Sequence, residues 1–246
     1  MDTKKLPDLA SFDLALGSTL VTVKFPLDSN SIRLAHIQTG NFIKLMTANS
    51  YDHLMANFAE YHSWQWQRCN QVGAWDLPEN ARILDLGSGL SVLDIILAQQ
   101  RSDLRFWLID RGVDTYQPDT VVTHGNDHPW YNSWITVEQQ ITANNLDRKR
   151  FVLQPPDGPW PSELDLILST WCWCWHVPIE TYLDSVLKSL AQGGRLCVDV
   201  RYEHYDSMVT ELSKHMGTEP RVVSYYGRPW IKDELPRGYR CCWIRQ

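Results

Sequence analysis

From residue 81 onward, short apolar runs alternate with stretches whose apolar residues recur at three- and four-residue steps. ARILDLG, LRFWLID, RFVLQ, LDLILST and GRLCVDVRY read as five buried strands. LSVLDIILAQQ and residues 130–146, 178–191 and 203–217 read as helices. Ser91 stands at the N-cap position of the first of these, with Asp94 three residues later in a near capping box. The helix over 178–191 opens on Pro178 and gives way to Gly193–Gly194. RVVSYYG and YRCCWIR close the chain as antiparallel neighbours. Alternating strands and helices predict an α/β fold with a mostly parallel sheet covered on both faces. Ligands of such sheets bind outside the carboxyl ends of the strands, near the point where the strand order reverses.

The N-terminal part has a different pattern. TLVTVKF and SIRLAHI flank the turn-rich PLDSN, which predicts a hairpin. Residues 50–72 predict a helix, because Leu54, Met55, Phe58, Tyr61, His62 and Trp66 fall on one helical period. The expected organisation is an accessory hairpin and helix over 1–75, followed by one catalytic unit over 76–246.

Bulk properties narrow the class. A chain of 246 residues with 43% hydrophobic content sustains a sizeable core. A net charge of −6 argues against duplex nucleic acid as the main partner. No run approaches the ~20 apolar residues that cross a bilayer, and MDTKKLPDLA has no apolar stretch behind its lysines. The six cysteines form no C-x-x-C pair, and several lie in strand-like runs. They read as buried free thiols of a reducing, cytoplasmic protein. The 12 tryptophans are expected mainly to pack.

The stretch ILDLGSGLS, Ile83 to Ser91, is where this pattern meets chemistry. Gly87 and Gly89 let backbone approach a ligand closely, and the helix beginning at Ser91 points unused N–H groups into the same space. A dinucleotide fingerprint would need glycine where Val92 stands, and no Gly-Lys-Ser/Thr phosphate loop is present. Asp85 would repel a pyrophosphate but suits a ligand with an ammonium group. ILDLGSGLS resembles motif I of the class I S-adenosylmethionine-dependent methyltransferases, (D/E)-x-G-x-G-x-G, with Ser91 in place of the last glycine.

The resemblance implies a Rossmann-like methyltransferase sheet with a reversed last strand, S-adenosyl-L-methionine as cofactor, and an N-terminal lid helix. It implies a cofactor site built from Asp85, Gly87, Ser88, Gly89, Asp110, Arg111, Asp157, Ser169 and Trp171. Asp110 ends the second strand, where the family's acidic residue holds the ribose hydroxyls. A carboxylate can accept both hydrogen bonds. Asp157 follows the third strand, in the position often set against the adenine amino group. DLILST matches the fourth strand, LAQGGRLCVDV the helix-to-fifth-strand step, and the last two strands the family's closing hairpin.

Methyl transfer requires the acceptor atom in line with the methyl carbon, and a hydroxyl acceptor also requires a base. His176, just after the fourth strand, is the leading base candidate, followed by His62 and Tyr61 on the lid helix. If TWCWCWHVP is extended, Trp171, Trp173 and Trp175 share one face, where indoles can favour a cation. Packing beneath a helix is the competing reading of these rings. QPPD does not match the N-P-P-Y/F loop of DNA amino-methyltransferases, because it follows the third strand rather than the fourth. Ser169–Thr170 and the mid-strand Asp199 do not supply a catechol-type metal triad. The expectation is methyl transfer to an O or N atom of a small molecule. The rivals are a degenerate methyltransferase-fold scaffold protein and a nucleotide-dependent oxidoreductase.

Overall fold

In the computed structural model the described residues are 9–16, 19–26, 65–110, 134–175, 177–226 and 238–246. β1 (Leu9–Leu16) and β2 (Thr19–Pro26) form a separate antiparallel pair. Residues 65–71 are helical and are called α1. There follow β3 (Arg82–Leu86), α2 (Val92–Gln100), β4 (Arg105–Ile109), α3 (Trp134–Ala143), β5 (Phe151–Gln154) and β6 (Leu164–Ser169). The chain continues with α4 (Leu183–Ser189), β7 (Leu190–Arg201), α5 (Tyr205–Met216), β8 (Arg221–Tyr226) and β9 (Gly238–Ile244).

The main sheet has seven strands in the order β5-β4-β3-β6-β7-β9-β8. β5 through β7 are mutually parallel, and β9 is antiparallel to β7 and β8. This is the expected Rossmann-like sheet, mostly parallel with its last strand reversed. The order reverses between β3 and β6, so a crevice at their carboxyl ends is the natural ligand position.

Alternation along the strands divides the core between the two faces. Ile83 packs with α2, α3, the Cys69–Val72 region and β2, whereas Leu84 and Leu86 pack with α4 and α5. Helices therefore cover both faces. Val92 to Ala98 are all buried, so α2 is enclosed rather than half-exposed. Asp85 lies on the Ile83 side of β3, facing the layer that holds α1 and α2.

Two local expectations are corrected, at the helix end before β7 and at one cysteine pair. β2 pairs with the upstream Leu9–Leu16, and SIRLAHI, its expected hairpin partner, lies outside the described residues. Only two residues link β1 to β2, and so short a hairpin closes with little entropy loss. The helix expected through Ala191 ends at Ser189, and β7 already begins at Leu190. Partners distant in sequence take the backbone there: Gly193 N–H donates to Arg245 O, and Arg245 N–H donates to Gly194 O, both at 2.9 Å. Cys197 and Cys242 face each other across β7 and β9 with a Cα–Cα separation of 4.2 Å and form a disulfide. Cys69, Cys172, Cys174 and Cys241 are buried free thiols, as expected.

Candidate cofactor site at the switch point

The turn after β3 is tied to the end of β4. Gly87 N–H and Ser88 N–H both donate to Ile109 O, at 2.7 and 3.3 Å. Gly89 N–H donates to Asp110 Oδ2 at 2.8 Å. One carboxylate at the end of β4 thus fixes the glycine turn. Gly87 has φ +80° and Gly89 φ +55°, so the turn uses the left-handed region glycine favours.

Ser91 shares that geometry, with φ +54°. It stands at the N-cap position of α2, but its side chain makes no capping bond, so the capping-box expectation is corrected. An N-cap normally has β-region backbone, which positions its oxygen for the next N–H groups. A left-handed residue points it elsewhere. Glycine would meet this backbone demand without the strain of about 1–2 kcal/mol that serine bears.

Asp94 does not serve as the box partner. It is fully buried, and neither of its oxygens receives a hydrogen bond from any donor among the described residues. Its carboxyl instead meets that of Asp85. Asp85 is only 4% exposed. Burial pushes the Asp85 carboxyl up to about 7, and Asp110 nearby adds to the rise. The Asp94 hydrogen bond, Arg68 and Arg240 act in the opposite direction. Burial and the adjacent Asp85 charge hold Asp94 well above the usual carboxylate range.

α1 forms one wall of this region. The Arg68 guanidinium lies 4.3 Å from the Trp171 ring centroid, and the side chain is buried. Gln71 accepts from Arg240 at 2.7 Å. Arg240 also donates to both oxygens of Asp199, at 2.8 and 2.9 Å, in a fully buried bidentate pair. From the other side, Gln140 of α3 donates to Leu90 O at 2.7 Å and holds the far end of the glycine turn.

The segment after β6 turns rather than staying extended, so the condition for a shared tryptophan face is not met and the packing reading holds for Trp173. Trp171 and Cys174 have φ of +56° and +66°. Trp175 N–H and Val177 N–H both donate to Cys172 O at 3.1 Å. Trp173 is wholly buried in the core, and its indole N–H donates to Ile179 O at 2.9 Å. Trp171 lies beside Arg68, and Trp175 stands 5.7 Å from the Arg201 guanidinium. Cys172 abuts Gly87, so the two turns of the crevice touch. Burial pushes its thiol well up, which leaves it a packing group.

Ser169 is fully buried at the end of β6. Its hydroxyl donates to Leu86 O at 2.7 Å and accepts from Trp173 N–H at 2.9 Å. It joins the tops of β3 and β6. Ser169→Ala is expected to destabilise the fold by about 1–3 kcal/mol, as two buried groups lose their partner, measurable by urea denaturation.

The structure brings Asp85, Gly87, Ser88, Gly89, Asp110, Ser169 and Trp171 to the carboxyl ends of β3, β4 and β6. Asp157 lies on an exposed turn after β5. Arg111, His176, His62 and Tyr61 lie outside the described residues. Arg68, Asp94, Gln140 and the Asp199–Arg240 pair were not legible as site residues. Asp94 alone left a sequence signal, a carboxylate in the midst of the apolar VLDIILA.

No family model matches the chain, and no curated protein sequence does. Among solved structures the chain is similar to a precorrin-6y C5,15-methyltransferase from Geobacter metallireducens. That match has 15% identity and TM-score 0.49, and covers 72% of this chain and 87% of the other. It is also similar to TYW2 from M. jannaschii in complex with AdoMet, with 14% identity, TM-score 0.47 and 72% of each chain covered. A third is the tRNA (m1A58) methyltransferase TrmI from Aquifex aeolicus, with 14% identity, TM-score 0.45, and 74% of this chain and 68% of the other covered. The described residues form a Rossmann-like, mostly parallel seven-stranded sheet whose last strand runs antiparallel to its neighbours.

Proposed function

We propose that this protein transfers a methyl group from S-adenosyl-L-methionine to an O or N atom of a small-molecule acceptor. One observation carries the reading. A buried acidic strand end, a left-handed glycine turn and a second carboxylate at the end of the neighbouring strand meet at the switch point of the sheet. When bound, the cofactor supplies an electrophilic methyl group on a sulfonium with a neutral leaving group.

The chain's own residues bind and orient. The glycine turn of Gly87, Ser88 and Gly89 gives the backbone approach. Asp85 faces the ammonium end, and Asp110 accepts from the ribose hydroxyls while holding Gly89. Arg111 and Asp157 complete the nucleoside side, and Ser169 and Trp171 shape the floor and wall near the methyl. His176, with His62 and Tyr61 from the segment preceding α1, serves the acceptor side as base or contact. In this reading residues 1–75 are the accessory lid and 76–246 the catalytic unit. A cytoplasmic setting belongs to this reading; the four buried free thiols fit it, and the Cys197–Cys242 disulfide does not. Among the described residues no helix is long and apolar enough to cross a membrane.

Calorimetric titration with S-adenosylmethionine, S-adenosylhomocysteine and NAD(H) tests the reading. Micromolar-scale binding of the first two is expected, with a loss of at least tenfold in Asp110→Ala, which removes the charge-assisted bonds. Binding of NAD(H) alone, or unchanged affinity in both Asp85→Ala and Asp110→Ala, would refute it. Cofactor binding without turnover on a broad acceptor panel would favour the scaffold reading.

A further inference from the structure

The Asp85–Asp94 contact has a consequence for any ligand that enters the crevice. Two carboxylates cannot hydrogen-bond each other unless one of them holds a proton. Neither oxygen of Asp94, nor Oδ1 of Asp85, receives a bond from a described donor. The Ser88 and Ser91 hydroxyls, both at least nine-tenths buried at the same turn, also have no partner there. The turn therefore presents buried acceptors and hydroxyls that are not saturated among the described residues.

We propose that Asp94 is a second carboxylate of the cation site: in the ligand-free protein it shares a proton with Asp85, and an ammonium-bearing ligand displaces that proton to solvent. This rests on the functional reading above and deepens it, since S-adenosylmethionine and S-adenosylhomocysteine both carry an ammonium group. The charges balance, because one positive charge enters as one proton leaves.

The surroundings favour one proton on the pair. From β4, Asp110 adds negative charge. From α1, Arg68 adds positive charge, and Cys69 lies beside Asp94 as a neutral thiol. From β9, Arg240 is already engaged by Asp199. After β6, Cys172 is held as a neutral thiol. Arg68 and Arg240 assist ionisation, yet burial outweighs both in its effect on Asp85.

The sign of the pH dependence follows. Asp85 is raised from 3.8 to about 7 on folding. Its contribution to stability is full below about pH 4 and is lost as pH rises through about 7. The ligand-free protein is therefore expected to lose several degrees of Tm between pH 5 and pH 8. Asp94→Asn, which supplies an amide donor in place of the shared proton, should flatten that profile.

The decisive experiment is calorimetry of the full chain near pH 7 in buffers of different ionisation heat. S-adenosylhomocysteine is expected to release about one proton per ligand bound. 5′-Methylthioadenosine, which keeps the nucleoside and thioether but lacks the ammonium, should release none. Asp94→Asn should bind S-adenosylhomocysteine with little release. Equal release by the two ligands, or none by S-adenosylhomocysteine, would overturn the proposal while leaving the cofactor reading intact. If neither ligand binds, the cofactor reading falls. The pair is then judged by the Tm profile of the ligand-free wild-type chain, where a profile that is flat or rises from pH 5 to pH 8 refutes it. That measurement also decides the matter should Asp94→Asn fail to fold.

Discussion

Gly87→Ala is expected to destabilise the fold by about 2–5 kcal/mol and to abolish cofactor binding. Two independent terms add. At φ +80° an alanine bears left-handed strain of about 1–2 kcal/mol. Its Cβ would also lie 2.3 Å from both Cβ and Sγ of Cys172, far inside contact distance. Overpacking of that kind costs about 1–3 kcal/mol, since either the turn or the Cys172 segment must move. Movement of either reshapes the crevice. The double variant Gly87→Ala/Cys172→Gly separates the terms, because it removes both clashing atoms but leaves the backbone strain. Urea denaturation of the four chains of the cycle should give a favourable coupling of at least ~1 kcal/mol. A Gly87→Ala protein with unchanged stability and affinity would show that the two turns do not touch.

Asp199→Ala is expected to lower stability by about 3–5 kcal/mol, the range for breaking one side of a buried pair. The substitution removes the carboxylate that the Arg240 guanidinium grips with two bonds, at a position of the sheet closed to solvent. For a chain of this size the Tm should fall by roughly 10 °C. Asp199→Leu/Arg240→Met, apolar on both sides, should recover most of the loss, because a buried ion pair is often no more stabilising than well-packed apolar residues. Thermal denaturation of the three proteins tests this. Arg240 also donates to Gln71 at the end of α1. The single variant should therefore loosen α1 against the sheet and raise hydrogen exchange there more than in β4 or β5. A uniform change in exchange would indicate that the pair supports only the sheet.

The strands were legible because each is a short apolar run bounded by turn residues, and burial on two faces requires that composition. β3, β4, β5 and β6 fall where the runs predict. The errors occur where distant partners override local preference. Ala191–Gly194 looks like a helix end followed by a cap, yet β9 recruits its backbone. The Trp171–Trp175 alternation looks like a strand face, yet the chain coils and Trp173 turns into the core. Ser91 and Asp94 look like a capping box, yet the left-handed backbone at Ser91 and the nearness of Asp85 give both residues other surroundings.

By itself, the sequence determined the alternation of elements, the glycine turn and the two carboxylates flanking it, because periodicity and turn chemistry act over a few residues. Tertiary structure alone decided which carboxylates and cations meet: Asp85 with Asp94, Arg240 with Asp199, and Arg68 against Trp171. These pairings join residues up to 103 positions apart in the chain. No local pattern encodes them, since a buried charge takes its meaning from whatever the fold places beside it.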